Sequence, residues 1–126
     1  MTPLALLMHR TIERVTPQTS LREAATRMRD CQIGALLVGE VQSPLGILSE
    51  ADIVRKAAAF GLDMEQTSVS QIMSRPVLSV DLEKTAWEAN NLMATHGVRH
   101  LLVTDAGNVV GILSVRDLLI CFKNRI

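Results

Sequence analysis

Gly46-Ile47-Leu48-Ser49-Glu50-Ala51-Asp52 and Gly111-Ile112-Leu113-Ser114-Val115-Arg116-Asp117 are two versions of one heptapeptide, set 65 residues apart. The same offset holds outward from them without a gap. Val15 falls on Val80, Glu23 on Glu88, Ala24 on Ala89 and Met28 on Met93. Leu36-Leu37-Val38 falls on Leu101-Leu102-Val103, and upstream Met8 and Arg10 meet Met73 and Arg75. Self-similarity at one fixed period over most of a chain marks a tandem duplication. The copies divide as residues 1–61, a linker over 62–71, and residues 72–126.

Each copy reads alike. Ser20-Leu21-Arg22-Glu23 and Thr85-Ala86-Trp87-Glu88 have the S/T-x-x-E pattern of a helix capping box. Behind them Leu21, Ala24, Ala25 and Met28, and likewise Ala86, Ala89 and Met93, recur at helical spacing and predict two buried stripes. The short apolar runs Ala35-Leu36-Leu37-Val38 and Leu101-Leu102-Val103 predict strands. Asp105-Ala106-Gly107-Asn108 predicts a hairpin loop, and Gly39 to Pro44 a less regular one. The return strands are Leu45–Leu48 and Val109–Leu113, and a last helix starts at Ser49 or Ser114. Segments around 12–15 and 77–80 predict one more strand each. Gly61 ends the last helix of the first copy. Thr67-Ser68-Val69-Ser70 is polar enough to be expected as a surface loop. The fold class is α/β (α+β): two β-α-β-β-α repeats, each too small to bury an adequate core alone, expected to pack sheet to sheet with pseudo-twofold symmetry.

Composition narrows the function. Of 126 residues 48% are apolar and 21% charged, a globular balance that excludes a disordered chain. Thirteen Lys and Arg against thirteen Asp and Glu leave no surplus cation for neutralising phosphates, so no nucleic-acid partner is expected. Phe60, Phe122 and Trp87 are the only aromatic residues, which removes the stacking platforms of single-strand binders. The first eight residues are too short for a signal peptide, and no apolar run has the length of a spanning helix. No membrane insertion and a cytoplasmic location are expected. Cys31 and Cys121, far apart and outside any C-x-x-C, are expected as buried thiols of a reducing compartment.

The duplicated Gly-Ile-Leu-Ser-x-x-Asp, the stretch His96 to Asp105, the stretch Gln71-Ile72-Met73-Ser74-Arg75-Pro76 and the repeat itself resemble the cystathionine-β-synthase (CBS) domain family. The resemblance is to a stand-alone tandem pair, or Bateman module, over about residues 7–61 and 72–126. It implies adenosine-containing regulatory ligands (AMP, ADP, ATP, S-adenosylmethionine, sometimes NAD) in two clefts between the halves, and control of an associated protein. It further implies one site of Ser49 and Asp52 with Ser74, Val77, Leu78, Val98, Arg99 and His100. The other has Ser114 and Asp117 with the segment His9 to Glu13 (Ile12 within it), Ile33, Gly34 and Ala35, and Arg116 as a phosphate partner.

Local chemistry accommodates two roles for each Ser-x-x-Asp. As a helix cap, Ser accepts from a first-turn amide and Asp favours the positive end of the helix dipole. As a ligand site, an ionised Asp accepts from the 2′- and 3′-hydroxyls of a ribose, and free amides meet a phosphate. One carboxylate can do both. Arg99 and His100 supply basic groups in the second copy where the first has Gly34 and Ala35, so the two sites are expected to differ. His96 and His100 have metal-pair spacing but no third ligand nearby, so no metal is expected. No nucleophile motif, phosphate loop or dinucleotide fingerprint occurs, and no enzyme activity is expected. Three readings stand: a sensor of adenine nucleotide and hence of energy state, with no cofactor beyond that regulatory ligand; a sensor of S-adenosylmethionine or another adenosyl compound; and a ligand-free oligomerisation or docking scaffold. The last helix of the second copy is apolar nearly all round after its first turn and its first-copy counterpart is broad-faced, so a homodimer is expected.

Overall fold

A computed structural model describes residues 2–123. Its elements run α1 (Leu4–Leu7), β1 (Arg14–Val15), α2 (Leu21–Cys31), β2 (Ala35–Glu40), β3 (Ser43–Ser49), and α3 (Glu50–Asp52) continuing as a π-helical stretch Ile53–Ala58. A 3-10 turn follows at Val69–Gln71, then β4 (Ser79–Asp81), α4 (Ala86–His96), β5 (His100–Asp105), β6 (Asn108–Ser114) and α5 (Val115–Lys123). Two three-stranded sheets result, ordered β1-β2-β3 and β4-β5-β6. In each, the first pair is parallel and the second antiparallel. The duplicated β-α-β-β-α order is therefore present.

The compact units do not follow the order of the repeats. Glu13–Val77 form one unit; the other joins the residues up to Ile12 to those from Leu78 onward. Each repeat's leading segment thus belongs to the other repeat's core. In the Glu13–Val77 unit, Val15, Leu21, Ala24, Met28, Leu36, Val38, Leu48, Ala57, Val69 and Ile72 pack together. In the other, Leu4, Leu7 and Met8 pack with Val80, Ala86, Ala89, Met93, Leu101, Val103, Leu113, Leu118 and Cys121. Leu4, Leu7 and Met8 stand 65 residues before Val69, Ile72 and Met73, so the duplication extends into these leading segments.

Local chemistry explains the helices. Thr85 caps α4 with a full box: Glu88 N donates to Thr85 Oγ1 at 3.0 Å, and Thr85 N donates to Glu88 Oε2 at 3.2 Å. The Ser20 box is half-built, with Glu23 N donating to Ser20 Oγ at 3.1 Å. The remaining α2 amides find other acceptors: Leu21 N donates to Thr67 O at 3.0 Å and Arg22 N to Met64 O at 2.9 Å. The linker thus satisfies donors that a helix start leaves orphaned. This corrects the expectation of a polar surface loop. Val69 is fully buried and Thr67 nearly so, because the segment must lie against α2 to accept those bonds. At the other end, Gln32 and Gly97 close α2 and α4 in the left-handed region, at φ 55° and 66°.

Three other expectations change. Cys31 is exposed, since α2 turns its last residue away from the core, whereas Cys121 is buried as expected. A short helix, α1, forms where no element is expected from the sequence, held by burial of Leu4 and Leu7. The last helix of the first repeat is α-helical only to Asp52 and then π-helical. Both hairpins close tightly, Glu40 pairing with Ser43 and Asp105 with Asn108, and each return strand has a register shift near its start. Ala106 and Gly107 both have positive φ, 51° and 82°, as a two-residue hairpin loop requires.

Val69→Ala tests the linker's place in the core. Removing two buried methyl-sized groups at ~0.8 kcal/mol each, plus a cavity term, gives a loss of about 2 kcal/mol in denaturant unfolding. A loosely laid loop would change by less than ~0.5 kcal/mol.

Candidate functional site

Both heptapeptides sit where the hairpin's return strand becomes a helix. Ser49 caps α3 with a reciprocal box: Asp52 N donates to Ser49 Oγ at 3.1 Å, and Ser49 N donates to Asp52 Oδ2 at 3.0 Å. Ser114 and Asp117 repeat this, with Asp117 N donating to Ser114 Oγ at 3.2 Å and Ser114 N to Asp117 Oδ2 at 2.8 Å. Ser114 Oγ also donates to Oδ2 at 2.9 Å. The helix-entrance amide beyond each Ser is fixed too: Glu50 N donates to Gly34 O and Val115 N to Arg99 O. Asp52 and Asp117 are 5% and 7% exposed, two of the three buried polar residues among those described. A buried carboxylate must be hydrogen-bonded and paired, and both are.

A further hydrogen-bond partner for each carboxylate comes from the leading segments. In the Glu13–Val77 unit, Ser74 bridges Ile47 through two backbone hydrogen bonds of 2.8 and 3.0 Å. Ser74 Oγ then donates to Asp52 Oδ1 at 2.9 Å. In the other unit His9 bridges Ile112 in the same way, both bonds 2.9 Å. His9 Nε2 lies 2.9 Å from Asp117 Oδ1; because a carboxylate only accepts, this nitrogen carries the hydrogen. The glycine that opens each heptapeptide permits this approach. A Cβ on Gly111 would lie 2.6 Å from Met8 Sδ and 3.0 Å from His9 O; on Gly46 it would lie 2.6 Å from Met73 Sδ and 3.0 Å from Ser74 O.

Of the residues expected at the site of Asp52, Ser49 and Ser74 are brought to its carboxylate. Lys56 joins them unforeseen, its Nζ 2.9 Å from Asp52 Oδ1. Val77 closes the same unit, while Leu78, Val98, Arg99 and His100 belong to the unit of Asp117. There Leu78 O accepts from Leu102 N, Val98 N donates to Met93 O, and His100 is the β5 partner of Ser114. Ser114 is brought to Asp117, with His9 as the further partner. Ile12 is at the end of that unit's leading segment and Arg116 is exposed on α5. Ile33, Gly34 and Ala35 lie in the unit of Asp52, with Ala35 paired to Ser49 in the sheet. Lys56 is missed by sequence reasoning and His9 is expected with Asp117; two signals in the sequence point to these partners. Asp52 and Lys56 have the i, i+4 spacing of a helical ion pair, and His9 precedes Ser74 by the repeat period.

Among the described residues no group of three or more His, Cys, Asp or Glu could hold a metal ion, and no helix is long and apolar enough to cross a membrane.

A duplicated α/β module with one capped, buried carboxylate at each hairpin-to-helix junction is thus the class that the fold defines. The chain belongs to the CBS domain family: the family model for the CBS domain matches residues 5–59 and again 69–124. The CBS domain-containing protein YhcV of Bacillus subtilis is 36% identical over 104 residues, 82% of this chain and 74% of that protein. A candidate signal-transduction protein with CBS domains from Burkholderia ambifaria superposes with a TM-score of 0.90 at 31% identity, covering 99% of this chain and 97% of that one. A CBS domain protein from Pyrobaculum aerophilum, complexed with AMP, gives a TM-score of 0.82 at 28% identity, over 98% of this chain and 93% of that one. Curated relatives differ in length, and the chain spans about half of one (54%) and about a fifth (19%) of others. The chain is a tandem CBS-domain module.

Two substitutions test the site's construction without any ligand. Ser49→Ala removes the acceptor for Asp52 N and is expected to lower stability by about 1 kcal/mol in chemical denaturation. Gly111→Ala forces Met8 and the His9 carbonyl away, an overpacking change expected to cost ~1–3 kcal/mol, read the same way.

Proposed function

We propose that this protein is a regulatory sensor of adenine nucleotides (AMP, ADP or ATP), with Asp52 and Asp117 as the ribose acceptors. The observation that carries the reading is the duplicated buried carboxylate, held rigid by its own helix cap at the start of a helix. A ribose offers two adjacent hydroxyl donors, which match the acceptor-only chemistry of an ionised carboxylate. The AMP complex of the Pyrobaculum aerophilum protein supports an adenine nucleotide as the ligand class. Ser49, Ser74 and Ser114 supply hydroxyls beside the carboxylates, and Arg99 and Arg116, both exposed, are the phosphate partners. Binding communicates the energy state to an associated protein, and no catalytic step is assigned.

Thermal unfolding with and without AMP tests this. A nucleotide at about 100 times its Kd stabilises the fold by about 2.7 kcal/mol, a readily measured rise in Tm. Asp52→Ala and Asp117→Ala are each expected to weaken one site about ten- to a hundredfold, the loss of a hydrogen bond to a charged group. Arg99→Ala is expected to weaken ATP and ADP more than adenosine, and added salt to reproduce part of that loss. A second reading, a ligand-free docking scaffold, is favoured by the fact that protein groups already satisfy both carboxylates. It requires that both aspartate variants lose stability while nucleotide shifts the Tm of none.

The working form is proposed to be a homodimer. Leu119 and Ile120 on α5 are 60% and 58% exposed, next to the buried Leu118 and Cys121, so one face of α5 fills its own core and the other needs a partner. A closed twofold pairing of α5 would cover it. Sedimentation at micromolar concentration is expected to show the dimer, and Ile120→Lys to return the monomer.

A further inference from the structure

The two carboxylates are capped alike and each accepts three donors, but they differ in which oxygen keeps free acceptor capacity. A carboxylate has about four lone-pair directions, two on each oxygen. Asp52 Oδ1 already accepts from two donors, Ser74 Oγ and Lys56 Nζ, each at 2.9 Å. Among the described residues, Oδ2 accepts from Ser49 N alone. In Asp117 the distribution is reversed. Both donors of Ser114 converge on Oδ2, and among the described residues Oδ1 accepts only from His9.

The two partner side chains are also held differently. The ammonium of Lys56 has three hydrogens and three acceptors: Asp52 Oδ1, Ile72 O at 3.1 Å and Ser74 Oγ at 3.2 Å. It is a tripod with every donor used. His9 makes a single side-chain hydrogen bond and its side chain is 67% exposed, so it can swing into solvent for the loss of one bond. The residue that stands 65 positions after Lys56 is the buried Cys121, which carries no cation. The asymmetry is therefore built into the sequence of the duplicated helix.

We propose that Lys56 sets ligand specificity at Asp52: it occupies the oxygen that a ribose hydroxyl would use, so that this carboxylate opens only to a ligand bearing its own anion. A phosphate offers the ammonium a replacement anion, whereas an uncharged nucleoside would displace Lys56 from Asp52 and offer it none. Asp117, with no lysine, accepts a ribose whether or not a phosphate accompanies it. Lys56 acts through Asp52 and is a positioning residue. The inference rests on the ribose-acceptor reading above.

The backbone amides of Ser49 and Asp52 report one site, and those of Ser114 and Asp117 the other. Titration of the whole protein with adenosine and with AMP, followed by amide chemical shifts, tests the proposal. In the wild type, AMP is expected to move Ser49 and Asp52 at concentrations at least about tenfold lower than adenosine does, the worth of one charge-assisted contact. In Lys56→Met, adenosine is expected to gain about tenfold at Ser49 and Asp52, the AMP preference there to shrink, and Ser114 and Asp117 to be unchanged. Lys56→Gln, which keeps a polar head without the charge, serves if Lys56→Met does not fold. If nucleotide binds but neither variant tightens adenosine at Ser49 and Asp52, the role of Lys56 is wrong and the ribose-acceptor reading survives. If neither compound moves any of the four amides in any protein, both fall together.

Discussion

The close passage of each leading segment across the glycine of a return strand is the contact on which the rest of the structure depends. Ser74 lies on Ile47 and His9 on Ile112 through paired backbone hydrogen bonds. Only the missing side chains of Gly46 and Gly111 let the two chains approach so closely. These bridges have two effects at once. They bring Leu4, Leu7 and Met8 into one core, and Val69 and Ile72 into the other. They also deliver a polar side chain to a carboxylate that would otherwise be buried with half its acceptors empty. Core and site are thus secured by the same few residues, and a change at either glycine reaches both.

Much of this was legible in the sequence, because duplication supplies its own control. A feature seen twice at one offset is less ambiguous than either copy, and the strands, hairpins and capped helices all appear where both copies agree. The Asp105–Asn108 loop was legible because Gly107 tolerates positive φ. The helix starts were legible because Ser20 and Thr85 carry the cap chemistry. What was not legible depends on tertiary placement. Nothing local in Leu4–Leu7 favours a helix over an extended start; burial of Leu4 and Leu7 decides it. Thr67-Ser68-Val69-Ser70 is polar by composition, yet the orphaned amides of α2 draw its carbonyls inward and Val69 follows. Cys31 was expected buried from residue type alone, and its position at the end of α2 decides otherwise.

The site divides along the same line. Ser49, Asp52, Ser114 and Asp117 were visible because the helix cap is a local device with a short signature. Lys56 was not singled out, and His9 came only with the leading segment that the family resemblance implies, because contact with a carboxylate depends on where a helix and a distant segment meet. These two side chains are also where the two copies differ most in chemistry. One carboxylate has a lysine that uses all its hydrogens on the protein; the other has an exposed histidine held by a single bond. Duplication produced two similar sites, and these substitutions made them unequal. A module with two unequal sites can respond to two ligands, or to one ligand over two concentration ranges.

The most direct measurement is a calorimetric panel of AMP, ADP, ATP, NAD and S-adenosylmethionine against the purified protein. Saturable heat from at least one adenine nucleotide, lost when Asp52 and Asp117 are replaced together, is the expected result. Saturable heat from S-adenosylmethionine alone would keep the carboxylates as ribose acceptors and move the ligand to the adenosyl class. No heat from any of the five would contradict the sensor, leaving both carboxylates as helix caps of a docking scaffold.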